Sequence, residues 1–100
     1  MANIIWTPLA ETDLEEILVY IGVTGGRPET ARRIGDEIHR AVEEHLQGGA
    51  PHRRHSDLPT HWSYLIHKRW LIAYELKGGA LSVRRAVDAS RDLPKQFGQW

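Results

Sequence analysis

Apolar residues recur along this chain at two different periods, and the change of period divides it in two. The opening run NIIW suits a short first strand. In TPLAETDLEEILVYI, the residues Ala10, Leu14, Ile17, Leu18 and Ile21 fall three or four apart and form the stripe of a predicted helix. Thr7 suits its cap, Pro8 its first position, and Glu11 and Asp13 favour the positive end of its dipole. GVTGGRP ends it. A second helix is expected from Pro28 to Gln47, striped by Ala31, Ile34, Ile38, Val42 and Leu46 and stopped by Gly48 and Gly49. Two such stripes joined by a short Gly-rich link predict an antiparallel helical hairpin.

After Gly49 the period shortens. APHRRHSDLPTH reads as a polar loop, and WSYLIH, RWLIAYEL and LSVRRAV carry the aromatic and β-branched residues of strands. KGG, between the last two, signals a tight hairpin. Strict alternation places Trp70, Ile72, Tyr74 and Leu76 on one face of the middle strand, with Leu71, Ala73 and Glu75 on the other. In the last strand it groups Leu81, Val83, Arg85 and Val87 against Arg84, Ala86 and Asp88. The expected fold is α+β in the order β-α-α-β-β-β. An N-terminal helical hairpin covers one face of a mostly antiparallel four-stranded sheet, and the second, mixed face is left open.

Composition narrows the chemistry. The length of 100 residues suits one domain, spanning 1–100. With no cysteine, disulfides, thiolate catalysis and Cys-based zinc sites are excluded. No apolar run approaches a membrane span and no leader pattern opens the chain, so a cytoplasmic protein without a membrane partner is expected. Thirteen basic and thirteen acidic residues cancel, but acids prevail up to Glu44 and bases beyond it. An anionic partner should therefore meet the C-terminal half.

The order of elements and several short motifs together resemble the RelE/ParE toxins of bacterial toxin–antitoxin modules. The opening helix is similar to the family's at Ala10, Asp13, Leu14, Ile17 and Tyr20, and DLP at Asp57 to Pro59 resembles the motif before its second strand. WLIAYEL resembles the core strand, with Tyr74 as the family tyrosine, and RRAVDASRD resembles the closing Val-x-His-x-x-Arg-Asp signature, with Ala86 at the Val position and Arg91 and Asp92 at its end. The resemblance implies one of two activities. RelE-like members cut messenger RNA on the ribosome, whereas ParE-like members inhibit DNA gyrase. Both are silenced by an antitoxin whose C-terminal segment wraps the toxin in a hetero-oligomer.

RNA cleavage without a metal needs a base, an acid and cations for the developing phosphorane charge. The ribonuclease members carry an Arg just after the first aromatic of the core strand and often a His in the closing signature. Those positions are Leu71 and Asp88 here. A Leu cannot stabilise an oxyanion, and a carboxylate repels a phosphate, so the ParE-like reading is favoured and the standard nuclease site is expected to be missing. If the chain is a nuclease after all, Asp88, Arg84, Arg85 and Arg91 are the candidates, with Asp88 as base; the plainer role for Asp88 is a salt bridge with Arg84 or Arg91. A family member that only binds its antitoxin is the third possibility.

Candidate target- or antitoxin-binding residues are Arg53, Arg54, Lys68, Arg69, Arg84, Arg91 and the terminal Trp100. An acidic antitoxin segment would suit them. His52, His55, His61 and His67 do not form a complete zinc ligand set, and neither metal nor cofactor is expected. Of the four tryptophans, Trp6 and Trp70 are expected in the core and Trp62 at its edge.

Overall fold

The computed structural model describes residues 3–48 and 51–90. Strand β1, Asn3–Trp6, leads through Thr7 into helix α1, Pro8–Val19. Helix α2 spans Pro28–Gln47, and strands β2, Ser63–His67, β3, Trp70–Lys77, and β4, Ala80–Asp88, complete the chain order. The sheet order is β1-β4-β3-β2, with β1 parallel to β4 and the other pairs antiparallel. This is the α+β arrangement expected from the sequence, two helices on one face of a four-stranded mixed sheet.

Local chemistry sets the junctions. The Thr7 hydroxyl accepts from the Ala10 amide at 3.2 Å and donates to the Val83 carbonyl at 2.9 Å, so one side chain starts α1 and moors it to β4. The two-residue β3–β4 turn holds Gly78 and Gly79 at φ +58° and +81°, the left-handed region that favours glycine. The predicted stripes face inward. Ala10, Leu14, Ile34, Ile38 and Val42 pack against Leu65, Trp70, Ile72, Tyr74, Leu81 and Val83.

Five features depart from the sequence reading. GVTGGRP does not end the first helix at once, because Tyr20–Thr24 continue it as a π-helical turn closed by the Gly25 amide on the Tyr20 carbonyl at 2.9 Å. A Cβ on Gly25 would lie 2.8 Å from the Ile21 carbonyl oxygen, so only glycine ends the turn this way. Asp13 does not serve the helix dipole from the surface; it is 8% exposed and tied to β4.

The third departure lies in β4. Pairing jumps from Ala73–Arg85 to Tyr74–Val83, which leaves Arg84 as an extra residue in a β-bulge. The bulge shifts the alternation by one position. Ala86 therefore joins the helix-facing cluster, while Val87 passes to the second face, the reverse of the grouping expected from strict alternation. Finally, the second face is not open. Leu71, Ala73 and Val87 form a smaller cluster there with Leu58, and Trp62, Tyr64 and Ala89 pack on it. The segment 51–62, read as a polar loop, lays its lone leucine into the sheet. Leu76, predicted inward, is 42% exposed at the sheet's tapering end.

Candidate functional site

Asp88 ends β4 opposite Trp70 and is 7% exposed. Its Oδ2 accepts from Arg69 Nη2, and its Oδ1 accepts from the Ser90 amide at 2.9 Å and the Ser90 hydroxyl at 2.6 Å. Burial alone would raise this carboxyl, but the bonds from Arg69 and Ser90 outweigh it and hold the group at about 2. Such a carboxylate is a poor general base near neutral pH and a good anchor. Its described partner is Arg69 in the β2–β3 turn, neither of the two arginines expected from sequence; Arg91 lies outside the described residues. The Arg69 guanidinium also covers the Trp70 ring, 5.2 Å from its centroid.

The other nuclease candidates diverge from it. Arg84, in the bulge, donates to Glu75 Oε1 at 2.7 Å, and the same carboxylate lies 3.3 Å from His61. Arg85 donates through Nε and Nη2 to Asp13 at 2.6 and 3.2 Å. Leu71, at the position where the resemblance calls for a cation, is 1% exposed beneath Leu58. Asp88, Arg84 and Arg85 therefore serve three separate ion pairs and do not converge on one point.

Because the Asp88 pKa falls on folding, the Arg69–Asp88 pair contributes stability above the unfolded value of about 3.9 and loses it as pH drops toward about 2. Arg69→Ala should lower stability at pH 7, and the difference between variant and parent should shrink as pH drops toward about 2. Urea unfolding at pH 7, 4 and 2.5 measures both. A pH-independent difference would mean that Arg69 acts through packing on Trp70 alone.

The basic candidates form two groups. At one end of β2, Arg53 pairs its backbone with Tyr64, and Arg54 donates to the carbonyls of Thr60 and Trp62. At the other end, Lys68 and Arg69 form the turn into β3, Lys68 at φ 57°. A strand of this length separates the groups by roughly 13 Å. Of the second group Glu37 on α2 takes Lys68, with Nζ at 2.7 Å, beside His67 Nε2 at 2.9 Å and Arg33 Nε at 3.6 Å, and the Lys68 and His67 bonds hold its carboxyl at about 2. Both groups leave their cations at the surface. Trp100 and Arg91 lie outside the described residues.

Three arrangements were not foreseen. The Tyr74 hydroxyl, buried in the core, meets His45 Nε2 and His52 Nδ1, each at 2.7 Å. Burial first, then the nearby His52 and Arg53 charges, lowers the His45 pKa, and burial raises the Tyr74 phenol to about 12 despite Arg54. The second is the Asp13–Arg85 pair. The third is an apolar groove of about 460 Å³ along the helical hairpin, lined by Trp6, Leu14, Leu18, Val19, Val23 and His39 with Glu11 and Glu15 at its rim. Val19, Tyr20 and Val23 lie off the α1 stripe, and that surplus of apolar positions was its signal. Among the described residues no helix is long and apolar enough to cross a membrane.

Residues 4–93 match the family model described as ParE toxin of type II toxin-antitoxin system, parDE. Among solved structures, a chain of the chromosomal ParDE toxin–antitoxin system from P. aeruginosa is similar in fold, with a TM-score of 0.70 and 20% identity over 88% of this chain and 96% of that one. No curated protein matches the sequence. With the family model covering both helices, all four strands and the bulge, the chain belongs to the ParE toxin family of type II toxin–antitoxin systems.

Proposed function

We propose that this ParE-family chain inhibits DNA gyrase by binding, in the cytoplasm, and that a cognate antitoxin encoded beside it neutralises it. The observation that carries the reading is the state of Asp88 and Leu71. The carboxylate is committed to Arg69 and Ser90, and Leu71 is sealed under Leu58, so neither a base nor a cation is available where a ribonuclease of this fold would need them. Binding to a target requires neither.

The antitoxin reading is supported by an apolar groove and by cations held at the surface. The hairpin groove offers apolar lining to an antitoxin helix, and the cation groups at Arg53–Arg54 and Lys68–Arg69 offer charge to an acidic stretch of the same segment. A ligand that binds only the folded toxin stabilises it by mass action.

Purified protein is expected to block supercoiling by gyrase, or to trap DNA breaks, while leaving messenger RNA intact in a ribosome-dependent cleavage assay run beside it. The adjacent gene product should reverse the effect and raise the thermal midpoint with concentration. Cut RNA with normal gyrase activity would replace this reading with an unorthodox endoribonuclease; no effect on either would leave a member that only binds its antitoxin.

A further inference from the structure

Segment 51–62 has no regular structure, yet it covers the second sheet face and is fastened at several points. Leu58 is its plug, 6% exposed against Leu71, Ala73 and Val87. The Tyr64 amide donates to the Arg53 carbonyl at 3.1 Å, and the Leu58 amide to the His55 carbonyl at 3.1 Å. At its N-terminal end the fastening is His52, which meets the Tyr74 hydroxyl of β3, which in turn meets His45 in the last turn of α2.

The proton count of that trio is restrictive. A phenol has one proton to give, so it donates to one imidazole nitrogen and accepts an N–H from the other. Both contacts close with both histidines neutral. If both are imidazolium, two N–H donors face one oxygen, the phenol proton has lost its acceptor, and two cations lie with ring centroids 5.8 Å apart. Among the described residues the charges that act on the trio do not compensate. Arg53 faces His45 and Arg54 faces Tyr74, both positive. The nearby acids are engaged, Asp57 with His55 and, on β3, Glu75 with Arg84 and His61.

We propose that the His45–Tyr74–His52 trio is a proton-sensitive latch that holds segment 51–62 over the second sheet face at neutral pH and releases it on acidification. The inference is independent of the gyrase reading, since it concerns how this chain covers its own sheet. The direction follows from linkage. The folded state holds the His45 pKa below its ordinary value of about 6.5, so the latch is fully stabilising above that pH and weakens as pH falls through the folded value. Release would bare Leu71, Ala73 and Val87 as an apolar strip.

Amide exchange in the full chain, followed by NMR from pH 7.5 to 5.5 and corrected for the intrinsic rate, tests this. Protection of the Tyr64 and Leu58 amides is expected to fall roughly tenfold or more, while β3 amides paired to β4 stay protected. His45→Gln with His52→Asn places amides where Nε2 and Nδ1 now bond without a titrating group, and should make that protection independent of pH. His61→Gln should behave as the parent does. Equal loss of protection in the double variant, or none in the parent, overturns the latch. The ring signal of His45 gives a second measure that needs no variant. It should titrate below the ordinary histidine value and together with the two amides, and titration at the ordinary value without movement of segment 51–62 also overturns the latch.

Discussion

Replacing Asp13 with Ala is expected to destabilise the fold by about 3–5 kcal/mol, because it breaks a buried ion pair with the Arg85 guanidinium and removes the acceptor of the Ala86 amide. The arrangement explains the size. β1 pairs with β4 only as far as Val83, where the Thr7 amide also bonds the Val83 carbonyl. Past that point no strand among the described residues lies beside the outer edge of β4. Asp13 fills the gap from α1: its Oδ2 takes the Ala86 amide at 3.1 Å as well as Arg85 Nε at 2.6 Å. One carboxylate thus closes a sheet edge and binds the first helix to the last strand.

For a domain of about 100 residues the loss corresponds to a fall in melting temperature of roughly 12 °C or more, readable by circular dichroism at pH 7. Asp13→Asn should lose less, since an amide oxygen still accepts from Ala86. Asp13→Leu combined with Arg85→Met should be milder than either single change, because it removes both charges at once. A melting temperature for Asp13→Ala within a few degrees of the parent would refute the edge-closing role.

That pair also marks where the sequence was legible and where it was not. Element order, both helical stripes and the hairpin turn follow from period and turn chemistry, which are local. Asp13 gave a signal that went unused. It stands between Ala10 and Leu14 on the buried side of the stripe, where an acid is tolerated only with a partner. The partner could not be named, because Arg84 and Arg85 are adjacent and only the bulge decides which of them reaches it. A bulge leaves the composition of a strand unchanged, so strict alternation misassigned Ala86 and Val87 beyond it. Likewise a single leucine in SDLPTH did not announce that its segment closes the second face. The Tyr74 trio joins residues 22 and 29 positions apart, a separation that no local pattern encodes.

Leu71→Arg would install the cation that the resemblance to ribonuclease members calls for at this position, and it is expected to unfold the chain and not to activate it. Leu71 pairs with Val87 across β3 and β4, is 1% exposed, and lies under Leu58. An arginine there would enter an apolar cluster of Leu58, Ala73 and Val87 with Trp62, Tyr64 and Ala89 around it. Burying an unpaired charge costs several kcal/mol, and the lost leucine packing adds to it, since truncation to Ala alone costs about 2–5 kcal/mol at such sites. The two effects can be separated by measuring Leu71→Ala and Leu71→Met beside Leu71→Arg. Met should stay within about 1.5 kcal/mol of the parent, Ala should fall in the truncation range, and Arg should lie below Ala. If Leu71→Arg instead melts like the parent and cuts ribosome-bound messenger RNA, segment 51–62 must be able to vacate the face. In that case the proposed gyrase reading would give way to a latent nuclease one. The expected result ties residue 71 to the whole second face: the leucine at this position is the one on which Leu58 and Val87 pack, so fold stability itself opposes a cation there.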